Sequence, residues 1–168
     1  MLGRTTAGRN AEFTDFVISA DRYLSRTAFL ICGDADLARE LVQETFARTY
    51  AAWWRVRRED ARGYAQRVLV NLNIDRRRRT TAVPIGEFEF ASVGDPERRV
   101  DDRDEVARLL VELSPQQRRV IVLRYFNDLS EADVAVTLGI SVGAVKSSCS
   151  RGIAKLRLVL AVAEEERR

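Results

Sequence analysis

Apolar side chains recur at spacings of three and four along most of this chain, and residues 1–83 hold no run of alternating apolar and polar residues of the kind that forms a strand. Three amphipathic helices account for the first half. Phe13, Phe16, Val17, Ala20, Leu24 and Ile31 fall on one side of a first helix that ends near Gly33. A second starts after Asp34 and buries Ala38, Leu41, Val42, Thr45, Phe46, Thr49 and Trp53, which leaves Asp36, Glu40, Gln43 and Glu44 on an outward acidic and amide face. A third runs from about Asp60 to Arg79 with Tyr64, Ala65, Val68, Leu69 and Leu72 as its core stripe. Asn71 and Asp75 sit one turn apart on it. It closes in Arg76, Arg77, Arg78 and Arg79, where cations complement the helix dipole and can clamp phosphates.

The stretch from Ser130 to Arg157 predicts two helices joined by a tight turn. Ser130 caps the first, with Asp133 three residues on as a capping box, and Gly139 supplies the left-handed residue that ends it. Ser141 caps the second, on which Val142, Val145, Cys149, Ile153, Leu156 and Leu160 form a buried stripe. Lys146, Ser147, Ser150, Arg151 and Lys155 lie on the other face, and small Ala135 lets the two helices cross closely. Small hydroxyls beside cations suit a surface that approaches base edges and phosphates, as in a helix-turn-helix. A helical hairpin with a merely solvated charged face has the same pattern.

The formal net charge of +3 conceals an alternation along the 168 residues. Residues 1–83 carry 15 Arg against 10 acids, residues 84–106 carry 3 Arg against 8 acids, and residues 107–168 carry 10 cations against 7 acids, giving +5, −5 and +3. The acidic stretch opens with Pro84 and contains Gly86, Gly94 and Pro96, so a flexible linker is expected over 84–104 between helical domains at 1–83 and 105–168. Such a strand of negative charge could lie in a basic channel on a partner, or be a solvated tether. Trp53, Trp54, Arg55, Arg57, Arg58 and Tyr64 precede the arginine run, and aromatics beside arginines suit single-stranded bases. Trp53 fits the core; Trp54 fits core or surface equally.

Composition removes several alternatives. With no histidine and only Cys32 and Cys149, neither a four-ligand Cys/His zinc site nor a His-based triad can be built, and no cofactor or metal is expected. The two cysteines fit apolar helix positions better than a redox pair. No apolar run approaches the ~20 residues of a membrane span, and the N-terminus lacks a signal-peptide core, so a cytoplasmic protein without membrane insertion is expected. No Gly-rich phosphate loop or nucleophile–base pair points to an enzyme.

ELVQETFARTYAAW, RGYAQRVLVNLNIDRRRR and the span LSPQQRRVIVLRYFNDLSEADVAVTLGISVGAVKSSCSRGIAKLR together resemble the extracytoplasmic-function group of the sigma-70 family. The resemblance covers nearly the whole chain in order. It implies an all-α protein with two small domains, regions 2 and 4, that binds core RNA polymerase, directs it to promoter DNA and helps melt the duplex, without being an enzyme. Carried onto this chain, it puts docking to the beta-prime clamp helices on Asp36, Glu40, Gln43 and Glu44 within Asp34–Trp53. Minus-10 recognition and melting falls on Trp54, Tyr64, Asn71, Asp75, Arg76, Arg77, Arg78 and Arg79, with Asn71 lining the pocket for a flipped-out base. Minus-35 recognition falls on Lys146, Ser147, Ser150, Arg151 and Lys155. The beta flap and an anti-sigma factor are further expected partners, and the linker is expected to thread toward the active-site and RNA-exit channels.

Asp133 and Val134 replace the family's usual Glu-Ile, and Ala144, Ser148 and Gly152 replace its frequent Thr, Arg and Ala. The base preference at the upstream box therefore cannot be carried over. The run YAQRVLVNLNIDRRRR and the ratio of 26 Arg to 2 Lys resemble an actinobacterial subgroup. The competing expectation is a helix-turn-helix regulator that binds duplex DNA without polymerase. Such a protein needs a sensor or receiver, and residues 1–83 show no strand pattern or acidic phosphorylation pocket.

Overall fold

The computed structural model describes residues 6–82 and 102–166, which contain helices and no strand. Helix α1 (Thr6–Cys32), α2 (Ala35–Ala51) and α3 (Ala61–Ala82) form the N-terminal unit. Their shared core is Ala20, Leu24, Ala28, Ala38, Leu41, Val42, Ala65, Leu69 and Leu72, where four alanines let the helices approach closely around leucines worth roughly 1.5–3 kcal/mol each on burial. Gly33, at φ +75, ends α1 and donates its N–H to Phe29 O at 2.8 Å, a left-handed cap. Asp34 Oδ1 accepts the Leu37 N–H at 2.7 Å and starts α2. Thr27, Thr45 and Thr49 are buried, and each hydroxyl donates to the carbonyl four residues before it, so the core holds three hydroxyls without an unmet donor.

The C-terminal unit comprises α4 (Asp102–Val111), α5 (Pro115–Ile121), a π-helical turn over Val122–Phe126, α6 (Glu131–Leu138) and α7 (Val142–Glu166). Ser114 and Gln117 make a reciprocal capping box ahead of Pro115, whose missing N–H is no loss at a helix start. At the end of the wide turn the Asn127 N–H reaches Val122 O at 3.2 Å. Gly139, at φ +64, closes α6 as expected, and the Ser130 and Ser141 hydroxyls accept from Asp133 N and Ala144 N, both at 3.1 Å. Asp133 completes the box differently: its carboxylate takes the Ser130 hydroxyl at 2.6 Å, because an aspartate is shorter than the usual glutamate.

Three expectations need correction or restriction. In α7 Val145 is buried and Cys149, Ile153 and Leu156 are half-buried, but Val142 and Leu160 are exposed, because the stripe outruns α5 and α6 at both ends. The deep contacts are made instead by Ser148 and Gly152, and a methyl on Gly152 would lie 2.6 Å from Ile121 Cδ1. Helix α4 begins at Asp102, inside the stretch expected as linker, whose residues 84–101 lie outside the described residues.

The two units pack against each other. One hydrophobic cluster joins Leu30, Ile31 and Val70 of the N-terminal unit to Ala107, Leu110, Val120, Ile121, Val122 and Leu123 of the other. Helix α3 thus has two buried faces: Leu69 and Leu72 face α1 and α2, while Val70 faces the second unit with Ile74 partly buried beside it. Arg118, almost fully buried, donates to Leu110 O (2.7 Å) and Val111 O (2.8 Å) at the end of α4 and to Ile31 O (3.2 Å) at the end of α1. A guanidinium at two helix C-termini satisfies orphan carbonyls and opposes both negative dipole ends.

Candidate nucleic-acid interface

The first turns of α7 carry the upstream candidate surface. Lys146, Ser150 and Arg151 are exposed and Ser147 is half-buried between them. Arg151 lies back along its own helix, donating from Nη2 to Ser147 Oγ and from Nε to Ser147 O at 3.3 Å. Lys146 Nζ stands 3.7 Å from Glu131 Oε2 of α6, an exposed pair worth about 0–1 kcal/mol that a phosphate can displace. Four of the five expected residues therefore share one solvent-facing surface. Lys155 is exposed but turns toward α4, where its ammonium donates to Glu112 O.

The second candidate surface lies on α3 and the connection before it. Trp54 is 73% exposed with the Arg55 guanidinium 5.9 Å from its ring centre, whereas Trp53 is 1% exposed and caged by Phe13 and Phe16 under the Arg58 guanidinium at 3.8 Å. One stacking aromatic is thus offered to a ligand and the other holds the fold. Tyr64, Asn71 and Asp75, spaced seven and four apart, follow one face of α3; the tyrosine is half-buried and the other two are exposed. Arg76, Arg77, Arg78 and Arg79 are exposed but fan out around the helix. Arg76 turns to α2 and bonds Glu40 at 2.7 Å. Arg77 and Arg78 bear on the unit boundary, where burial and then their charges, with that of Arg118, lower the Arg119 pKa to about 10. Arg118 is also lowered, first by burial and then by Arg77. Both stay charged at neutral pH.

The outward face of α2 exposes Asp36, Glu40, Gln43 and Glu44 together. Asp36 pairs with Arg39 at 2.7 Å, Glu44 with Arg48 at 2.6 Å and Glu40 with Arg76, all exposed pairs that a competing surface could replace at small cost. Beside this face a groove of about 430 Å³ runs between α1 and α2, lined by Val17, Phe29, Ala38, Val42 and Phe46 with Arg39 and Gln43 at its rim. An apolar trough edged by charge is suited to a helix of another protein.

Among the described residues no cluster of three or more Cys, Asp and Glu could hold a metal, and no single helix is long and apolar enough to cross a membrane. Cys32 and Cys149 are both free; burial pushes the Cys32 thiol up, and the two belong to different units with separate partners, Ala28 O and the Tyr125 hydroxyl. Asn73 and Arg119 escaped the sequence reading: Asn73 is buried, and Arg119 of α5 donates to its Oδ1 at 3.2 Å. The available signal was Val70 and Ile74 beside Asn73, a second apolar face on α3.

Residues 17–83 match the family model described as sigma-70 region 2, and residues 103–156 match sigma-70 region 4. The chain is 34% identical over 153 residues to the RNA polymerase sigma-E factor of Streptomyces avermitilis, covering 89% of this chain and 86% of that protein. It is 30% identical over 162 residues to the ECF RNA polymerase sigma factor SigM of Mycobacterium tuberculosis, covering 95% and 83%. Among solved structures it is similar to the sigma factor RpoE from Bartonella quintana, in complex with the anti-sigma factor NepR (22% identity, TM-score 0.71, covering 89% of this chain and 97% of that one). It is also similar to CnrH in complex with the cytosolic domain of CnrY (25% identity, TM-score 0.65, covering 89% and 88%). Two family models in the order expected from the sequence, with actinobacterial relatives at 30–34% identity matched over 83–86% of their length, place this chain in the extracytoplasmic-function group of the sigma-70 family, the promoter-recognition subunits of bacterial RNA polymerase.

Proposed function

We propose that this chain acts as an alternative sigma factor that binds core RNA polymerase through α2, opens the minus-10 element with α3 and the Trp54 connection, and reads the minus-35 element with α7. The observation that carries it is the pair of surfaces of different chemistry on one short chain: small hydroxyls among cations on α7, and an exposed tryptophan ahead of α3 with an amide and arginines along that helix. The first suits the major groove of a duplex and the second suits unstacked bases. Asn71 is exposed and free of any bond to Asp75, so its amide is available to a base edge. Capturing an extruded base shifts the duplex toward its open form by binding energy alone, and no catalytic group is required.

The clamp helices of beta-prime would take Asp36, Glu40, Gln43 and Glu44, with the neighbouring apolar groove extending the contact. The beta flap would take the C-terminal unit, where Leu158, Leu160 and Val162 of α7 are exposed. An anti-sigma factor is a further expected partner, since RpoE from B. quintana was solved with one. The protein would work in the cytoplasm, where its polymerase and promoters are. A regulator acting without polymerase is disfavoured by the absence of strands among the described residues, since a receiver needs them. Run-off transcription with actinobacterial core polymerase and genomic templates tests the proposal: transcripts should start at discrete sites only when the protein is added.

A further inference from the structure

The outward tip of α7 has no polar side chain to spare. Val142, which opens the helix, is 41% exposed, and Ser141 before it turns its hydroxyl back to accept the Ala144 N–H at 3.1 Å. Gly143 beside it is exposed and bare. Val142 stands four residues ahead of Lys146 and eight ahead of Ser150, so it heads a row of side chains already assigned to the upstream box.

Packing inside the chain accounts for neither residue. Val142 carries the first side chain of the apolar stripe, yet it lies beyond the helices that cover Val145. Gly143 is helical, and a methyl added there would meet nothing nearer than Ser141 Oγ at 3.9 Å, so alanine would fit the fold and favour the helix. The room that this glycine leaves opens outward. A glycine that accommodates nothing within the chain suits the close approach of something outside it.

In a helix-turn-helix the first residues of the second helix are the ones that reach base edges in the major groove. Of the groups displayed there the thymine C5-methyl is the apolar one, and the rest are donors or acceptors that a valine would leave unpaired. We propose that Val142 reads a thymine in the minus-35 box by packing its isopropyl group against the C5-methyl of the base, and that Gly143 gives the clearance that lets the tip of α7 come down to it. The inference rests on the sigma-factor reading above. Upstream specificity is then divided along one helix, with an apolar contact at the tip and the polar contacts of Lys146, Ser147, Ser150 and Arg151 behind it.

The test uses holoenzyme assembled from core polymerase and the full chain, bound to the best promoter recovered by start-site mapping. Each thymine of its minus-35 box, on either strand, is replaced in turn by deoxyuridine, which removes the methyl and keeps every hydrogen-bonding group. One replacement should weaken wild-type binding about 3- to 5-fold, the worth of burying one methyl. Val142→Ala should lose a similar factor on the thymine promoter and lose nothing more on the deoxyuridine one. Gly143→Ala should raise the thermal midpoint of the free chain by about 1–4 °C and still weaken holoenzyme binding to every promoter. A box without thymine, a wild-type holoenzyme indifferent to deoxyuridine at every position, a Val142→Ala holoenzyme that still senses it, or a Gly143→Ala holoenzyme that binds undiminished overturns the inference. A chain that never supports run-off transcription overturns the sigma-factor reading and this inference with it, whereas the other outcomes leave that reading standing.

Discussion

Arg118 Nη1 lies 3.2 Å from the carbonyl oxygen of Ile31, a residue 87 positions earlier, and the same guanidinium holds Leu110 O and Val111 O. One side chain thereby caps α1 and α4 at once. A lysine has a single point of charge and cannot span three carbonyls in a fork. Arg118→Lys should cost about 1–3 kcal/mol in urea unfolding of the full chain. A cost near zero would mean that solvent satisfies those carbonyls equally well.

Helices α1, α2, α3, α6 and α7 were legible because each carries an apolar stripe of the right period, whereas α4 and α5, of ten and seven residues, are too short to show one. The seam between the two units was not legible. Val70, Asn73 and Ile74 lie on the face of α3 that adjoins Leu69 and Leu72, turned roughly 120° from it, so an amphipathic reading that assigns one buried face per helix leaves them outside. Arg118 and Arg119 read as two more cations of a basic unit, since nothing local says that Arg118 ends among backbone carbonyls. The α7 face was legible up to Arg151, whereas Lys155 reaches Glu112 only because α4 packs beside α7.

Gly152 and Ile121 should be coupled. Replacing a helical glycine by alanine gains about 0.5–1 kcal/mol, but here the new methyl meets Ile121 Cδ1 at 2.6 Å, and overpacking costs about 1–3 kcal/mol. Gly152→Ala should therefore be destabilising alone and stabilising in an Ile121→Val background. Thermal unfolding of the four proteins in the cycle measures this; additive effects would show that Ile121 moves aside freely.

Charge at the seam predicts an unusual salt response. The charges of Arg77 and Arg78 on one side of the boundary depress the Arg119 pKa on the other, and ions screen this repulsion. Raising sodium chloride from about 0.05 to 0.5 M should make the free chain more compact in scattering. A seam held by ion pairs would respond in the other direction.

The docking face should depend on charge rather than helicity. Glu44→Arg places a second cation beside Arg48 and reverses a surface expected to meet the clamp helices. It should weaken competition for core at least tenfold, about 1.4 kcal/mol, with an unchanged helical circular dichroism signal. Undiminished competition would move the docking site elsewhere.

Asn71 should act in melting. Asn71→Ala should slow open-complex formation on duplex promoters and matter less on templates mismatched across the bubble, where unstacking is already done. Equal loss on both would make it a structural residue, which its exposure argues against.

The most direct measurement is reconstituted transcription with core polymerase on a template library randomised at both promoter boxes, with start sites mapped for the wild-type chain, Arg151→Ala, and a chain lacking the charges of Arg77 and Arg78. The wild type should select sequence in two separate boxes about 25 base pairs apart. Arg151→Ala should cost about 1–3 kcal/mol on the best promoters and flatten preference only in the upstream box. Loss of Arg77 and Arg78 should weaken all templates alike and reduce the slope of log affinity against log salt by roughly 1 for each phosphate contact removed. Selection of one contiguous site, or preference that shifts with Arg77 and Arg78 but not with Arg151, would contradict the account.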